Sequence, residues 1–137
     1  MLEPDRLELE VAETIALAND DKSLEPMTPL RDGGVRIAFD DFGSGYASLS
    51  SLQRYSITTL RVDQGFIGAM IQKPGNRVIG RVLIALSQYM ALETIAEGIE
   101  TIEQEQALIA LGCSLPQGYL YGKAMRFEDA MALLTLE

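Results

Sequence analysis

Short apolar segments recur along the chain, and each is followed by a polar or helix-compatible stretch. Residues 7–11 alternate strictly between apolar and charged side chains, which predicts a strand. Further strands are predicted at residues 35–39, 57–62, 93–97 and 114–119. Apolar residues at helical spacing predict a long helix over 76–90, and shorter helices are expected at 47–55, after Thr101 and at 127–136. Thr101 and Gln104 form a capping-box pattern, and Gly112 stands where that helix should end.

The order of these elements predicts the fold class. Strand and helix alternate about five times, which is typical of an α/β protein with parallel strands joined by right-handed crossovers. Five units are too few for a closed eight-stranded barrel of roughly 250 residues. The chain is therefore either an open sheet or part of a barrel, and the polar pattern described below favours the barrel.

Composition narrows the chemistry. The 137 residues fit one small domain or part of a larger one, and the net charge of -9 argues against binding to DNA, RNA or an anionic membrane. There is no histidine, which excludes Ser-His-Asp catalysis within the chain, and the single Cys113 cannot form an internal disulfide. No apolar segment approaches the ~20 residues of a membrane helix, so we expect a cytoplasmic protein.

Acidic residues recur at the carboxyl ends of the predicted strands. In a barrel these ends share one rim, where the carboxylates would repel each other unless a cation lies between them. Oxygen ligands suit Mg²⁺ or Mn²⁺, and two such ions are a common device for phosphodiester hydrolysis. Taken singly, each position has a structural alternative, such as a turn cap, a helix-entry acid or an ion pair. The polar positions at the strands are Glu10, Asp40, Asp41, Arg61, Asp63, Glu97 and Gln117.

Five motifs in the same order resemble those of EAL domains. The segment from Asp40 to Leu49 is similar to the long D-D-F-G-[TS]-G-Y-x-S-L loop of that family. Residues 8–14 resemble its E-L-T-E-S strand, and residues 60–63 stand where the family carries L-K-[IV]-D. Ala-Glu-Gly-Ile-Glu at 96–100 and Gln-Gly-Tyr at 117–119 match its later motifs. The chain is therefore identified as a member of the EAL family over nearly its whole length.

This resemblance implies a (β/α)8 TIM-type barrel in bacterial signalling that hydrolyses cyclic di-GMP to linear pGpG with two Mg²⁺ or Mn²⁺ ions. Residues 1–137 would be its C-terminal half, about the last five β/α units. The implied metal ligands are Glu10, Asp40, Asp41, Asp63 and Glu97. The implied catalytic residues are Glu97, Arg61 and Gln117, and the implied loop-supporting residues are Glu100, Gly43, Ser44 and Gly45.

The sequence departs from the family pattern at three points. The E-x-L segment and an Asn ligand, both from the first half of the barrel, are absent from these residues. Arg61 replaces the catalytic Lys, and Ala124 replaces a usual Pro. We therefore expect the isolated chain to be impaired, with a degenerate module that binds cyclic di-GMP or a protein, or an inactive fragment, as the alternatives. A half-barrel with exposed edges and an apolar inner face should pair with a second copy or with the missing N-terminal half.

Overall fold

The computed structural model describes residues 1–12, 25–42, 52 and 55–135. The strands are β1 (Glu8–Ala12), β2 (Arg36–Phe42), β3 (Thr59–Val62), β4 (Glu93–Ala96) and β5 (Leu115–Pro116). The helices are α1 (Met27–Asp32), α2 (Gln64–Gln72), α3 (Pro74–Tyr89), α4 (Ile102–Ala110) and α5 (Phe127–Leu134), and a short 3-10 turn covers Pro4–Arg6. The predicted helix at 47–55 falls almost entirely outside the described residues, as do Gly43, Ser44 and Gly45.

The described strands form one parallel sheet in the order β1-β2-β3-β4-β5. Each strand thus pairs with the next one along the chain, without the reversal of order that defines a doubly wound sheet. Uniform right-handed crossovers in this order place the connecting helices on one side, as in a barrel wall. The prediction of a partial α/β barrel, made from the polar pattern and the resemblance to EAL domains, is confirmed.

The helix-covered face of the sheet holds the hydrophobic core. Phe39 and Leu60 are fully buried in the centre of the sheet, and Leu108 of α4 is equally inaccessible. The side chains of α2 and α3 meet this face through residues such as Met70 and Leu83. Burying each large aliphatic or aromatic side chain contributes about 1.5–3 kcal/mol, so this face is the main source of stability.

The opposite face of the sheet, which is the inner face of a barrel, carries charged residues. Glu8 and Arg36 are register partners in β1 and β2, and Arg36 forms ion pairs with both Glu8 and Glu93. Arg61 adds a second guanidinium on this face. The expectation of an apolar inner face is therefore wrong. Strand alternation puts these charges opposite the core, where mutual pairing offsets the cost of partial burial.

Several elements differ from the sequence-based boundaries, and β2, for example, continues to Phe42 rather than ending at residue 39. Helix α2 was not predicted, although Asp63 caps its first turn by accepting hydrogen bonds from the amides of Gly65 and Phe66. Helix α3 begins at Pro74, where a missing N–H costs nothing. Strand β5 spans only Leu115–Pro116 rather than 114–119. Among the described helices, none is long and apolar enough to cross a bilayer.

Candidate metal centre

Three carboxylates from two strands converge at the rim of the sheet. Asp40 and Asp41 lie in β2, and Glu97 follows the last residue of β4. One oxygen from each of these side chains lies within 4.8 Å of the others. Carboxylate oxygens are the ligands that Mg²⁺ and Mn²⁺ prefer, so the donor type and the spacing fit such an ion. We call these three residues the acidic triad.

Adjacent residues of a regular strand point to opposite faces, so an irregularity is needed for Asp40 and Asp41 to converge. Asp41 has φ of +58°, a left-handed conformation that Asp tolerates better than most residues. The β2–β3 pairing shifts register between Phe39 and Phe42, at the same place. The Asp41 amide also donates to Asp40 Oδ1 over 2.9 Å. This kink turns both carboxylates toward the site.

The guanidinium of Arg61 lies among the acids. Its Nε donates to Glu97 Oε1 over 2.8 Å, and its Nη2 also contacts that oxygen. Nη1 lies 3.3 Å from Glu10, Nε lies 3.5 Å from Asp40, and Nη2 donates to Gln117 Oε1 over 3.4 Å. Only 13% of the Arg61 side chain is exposed. Arg61 therefore supplies a positive charge that is shared by several acids at the ends of the strands.

The ionisation of Glu97 and Arg61 reflects this crowding. Partial burial raises the pKa of Glu97, the hydrogen bond from Arg61 opposes the rise, and the nearby charges of Asp40 and Asp41 add to it. Burial acts to lower the pKa of Arg61, but the hydrogen bond and charge of Glu97, together with the charges of Glu10 and Asp40, outweigh it and raise that pKa. The carboxylates around Arg61 outnumber its single positive charge, so repulsion between them remains. A further cation that binds between them would reduce this repulsion.

A cavity of about 420 Å³ opens beside the acidic triad. Asp63 lines it while its Oδ2 caps α2, so this carboxylate both ends β3 and begins a helix. Gln117 also lines the cavity, and its backbone N–H donates to Ala96 O over 2.8 Å and continues the strand pairing. The full lining is Asp41, Asp63, Gln64, Glu97, Gly98, Glu100, Gln117, Gly118 and Tyr119.

Two glycines shape the cavity wall. Gly98 has φ of +74°, and a Cβ there would stand 2.2 Å from Gln64 Cγ. A Cβ on Gly118 would stand 2.1 Å from the carbonyl oxygen of Ile99. Both sites therefore need glycine for the chain segments to approach this closely. The absence of a side chain at Gly98 lets the segment after β4 approach Gln64 of α2, and its absence at Gly118 lets the segment after β5 approach Ile99.

The predicted site residues are distributed unevenly around this centre. Asp40, Asp41 and Glu97 form the triad, and within the described part of the chain Glu10 is linked to it through Arg61. Asp63 and Glu100 lie along the cavity. Sequence reasoning passed over Gln64 and Tyr119 as cavity residues, although Gln64 directly follows Asp63 and Tyr119 ends the Gln-Gly-Tyr motif. Sequence reasoning also did not predict the ion pairs of Arg36. Arg36 and Asp40 lie four residues apart in β2, and this spacing puts both side chains on the same face of the sheet.

Comparison with known proteins places this geometry in a family. The EAL domain model matches residues 1–124. MucR of Pseudomonas aeruginosa, a bifunctional diguanylate cyclase/cyclic di-GMP phosphodiesterase, is 40% identical over 131 residues, which cover 96% of this chain and 19% of MucR. The cyclic di-GMP phosphodiesterase RocR from the same species is 36% identical over 124 residues, or 90% of this chain and 32% of RocR.

Solved structures agree with the sequence matches. The MucR phosphodiesterase in complex with cyclic di-GMP has a TM-score of 0.84 at 40% identity, covering 94% of this chain and 52% of that one. Klebsiella pneumoniae BlrP1 in a manganese/cyclic di-GMP complex has a TM-score of 0.80 at 31% identity, covering 87% of this chain and 30% of that one. The chain thus spans about half, or less, of the proteins it matches. By its sequence motifs, its sheet and its family match, the chain belongs to the EAL domain family.

Proposed function

We propose that residues 1–137 are the C-terminal half of an EAL barrel and contribute to the metal-dependent hydrolysis of cyclic di-GMP to linear pGpG. The observation that carries this proposal is the convergence of Asp40, Asp41 and Glu97 within 4.8 Å at the carboxyl rim of parallel strands. A cavity of about 420 Å³ beside them offers room for the reacting part of a dinucleotide. The cognate complexes of the MucR and BlrP1 structures support the choice of ligand.

The proposed mechanism assigns roles to the residues of this chain. Asp40, Asp41 and Glu97 would hold Mg²⁺ or Mn²⁺, with Glu10 and Asp63 completing a two-ion site. When bound, divalent ions supply Lewis acidity for the phosphate and lower the pKa of water. Gln117 would orient a water or a phosphate oxygen by hydrogen bonding. Glu100 would support the loop that contains Gly43, Ser44 and Gly45.

Arg61 limits what the isolated chain can do. Arg cannot serve as a proton acceptor, whereas it can donate a planar pair of hydrogen bonds to a phosphate oxygen. The Glu of E-x-L and the Asn ligand are not among these residues, so we expect weak activity from the chain alone. The engagement of Arg61 with Glu97 and Glu10 supports the alternative, a non-catalytic EAL module that binds cyclic di-GMP or a protein partner.

The two open edges of the sheet suggest what kind of partner the chain needs. In the described residues β1 pairs only with β2 and β5 only with β4, so both strands are edges. We propose that a second copy of the chain, or the N-terminal half of the barrel, covers these edges in a cytoplasmic protein. Light scattering at several concentrations tests this proposal, and a compact, stable monomer would contradict it.

The function is tested by incubating the chain with cyclic di-GMP and Mn²⁺ and separating pGpG by chromatography. Asp40→Asn is the blank, because it removes one carboxylate charge from the triad. Asp32→Asn is the matched control, since Asp32 forms an exposed ion pair with Arg31 in α1. Product from wild type and Asp32→Asn but not from Asp40→Asn supports the phosphodiesterase.

Absence of product from every variant would reject catalysis by this chain. Calorimetric titration with cyclic di-GMP in Ca²⁺ then tests the alternative, since BlrP1 forms a calcium/cyclic di-GMP complex. Binding that is lost in Asp40→Asn would support a non-catalytic module. Failure to bind would reject both functions for the isolated chain.

A further inference from the structure

Arg61 makes more contacts with acidic side chains than any other described cation of this chain. Acids in β1, in β2 and just after β4 hold it, because β3 lies between β2 and β4 and the Arg61 side chain reaches past β2 to β1. Its nitrogens contact Glu97, Glu10, Asp40 and, over 3.6 Å, Glu8. A guanidinium presents its donors in a fixed fork, so these contacts are made together rather than in turn.

Two of these partners, Asp40 and Glu97, belong to the acidic triad. The Glu97 oxygen that accepts from Arg61 Nε is the same atom that its Nη2 contacts. An ion bound to Asp40 and Glu97 would share these two carboxylates with the guanidinium or displace it. Two cations held within a few Å of each other also repel, most strongly where solvent is partly excluded.

We propose that Arg61 is a resident counter-ion of the acidic triad that competes with the divalent metal and lowers its affinity. This inference rests on the proposed metal site and adds a property that the resemblance to the family does not supply. The guanidinium offsets part of the negative charge of the clustered carboxylates in the metal-free chain. It leaves Glu97 and Asp40 when an ion binds, and is then free to face the substrate phosphate.

A purely structural role for Arg61 predicts the opposite result. If the guanidinium only holds Glu97 and Asp40 in position, its removal lets the carboxylates move apart and weakens metal binding. The direction of the change in metal affinity therefore distinguishes competition from support. Stability of the fold does not distinguish them, because both roles predict some loss of stability.

The test is a titration of the chain with Mn²⁺ alone. Calorimetry measures the heat of binding, and electron paramagnetic resonance measures the Mn²⁺ that stays free. Arg61→Gln keeps a polar side chain without charge and should lower the Kd for Mn²⁺ by about tenfold or more. Arg61→Lys keeps the charge as a single point with fewer donors, so its Kd should lie between the two. Circular dichroism checks that each variant is folded.

Arg36→Gln is the matched control. Arg36 lies on the same face of the sheet, but its ion pairs are with Glu8 and Glu93, which are outside the acidic triad. Its replacement removes the same charge and should change the Kd for Mn²⁺ by less than about threefold. Adding Asp40→Asn to Arg61→Gln should abolish the gained affinity, which locates the ion at the triad.

Unchanged or weaker Mn²⁺ binding by Arg61→Gln would overturn the inference, as would an equal gain in Arg36→Gln. If Arg61→Gln fails to fold, Arg61→Lys decides, because competition requires a lower Kd than wild type. If neither wild type nor Arg61→Gln binds Mn²⁺, the inference fails together with the metal site. Tighter binding without hydrolysis in any variant would support the inference while rejecting the proposed catalysis.

Discussion

The close approach of Gly118 to Ile99 offers a direct test of how the site is held together. A Cβ at position 118 would stand 2.1 Å from the carbonyl oxygen of Ile99 and 2.2 Å from its nitrogen. These are backbone atoms, which cannot rotate away as a side chain can. Gly118→Ala should therefore force the segment after β5 away from the segment after β4.

The cost can be worked from the hydrogen bonds that this separation breaks. The Ile99 amide donates to Gln117 O and the Leu120 amide donates to Ile99 O, each over 3.0 Å. A net contribution of about 0.5–1.5 kcal/mol per bond predicts a loss of about 1–3 kcal/mol in the free energy of unfolding. The displacement should also move Gln117 away from Arg61.

Urea denaturation with linear extrapolation measures this loss. Gly68→Ala is the control, because a Cβ there meets nothing within 4 Å and Gly68 lies inside α2. Replacing a helical glycine by alanine should leave stability unchanged or raise it by about 0.5–1 kcal/mol. The reasoning is refuted if Gly118→Ala unfolds at the same urea concentration as wild type, or if Gly68→Ala loses as much stability.

Two further predictions concern local interactions. Thr101→Ala removes the hydroxyl that accepts from the Gln104 amide in the capping box of α4, and should lower the unfolding free energy by about 0.5–2 kcal/mol in the same urea assay. Slight burial, the hydrogen bond to Glu105 and the charge of that residue raise the pKa of Tyr121 to about 12. The hydrogen bond from the Tyr121 hydroxyl to Glu105 should therefore be complete below pH 10 and be lost as the pH rises through about 12. In a spectroscopic titration read against Tyr121→Phe, Glu105→Gln should return this pKa toward 10, and an unchanged value would contradict the assignment.

Local signals were read well from the sequence. The alternation at 7–11 predicted β1 to within one residue, and the capping box of Thr101 and Gln104 is present as predicted. Helix α2 was missed because Gly65 and Gly68 weaken the helical pattern, although Asp63 stood as its cap. Caps and alternation depend on residues that are neighbours in the sequence, so they can be predicted from it. A helix that contains two glycines depends on its packing against α3, which the sequence does not show.

The two faces of the sheet show where local reading fails. The charges of Glu8 and Arg36 were visible along the sequence, yet the inner face was expected to be apolar. The strand pattern alone left an open sheet and part of a barrel as alternatives, and the observed strand order puts the helices on one face and these charges on the other. Alternation along a strand shows which side chains share a face. The order of the strands in the sheet decides which of the two faces the helices cover.

Sequence alone was sufficient to establish the α/β alternation, the acids at the strand ends and the EAL motifs. Tertiary structure alone revealed that Asp41 takes a left-handed conformation beside Asp40, and that Arg61 reaches both Glu10 and Glu97. The motifs are short and depend on residue order, so they can be read without coordinates. The partners of Arg61 come from distant strands, so they depend on the register and shape of the assembled sheet.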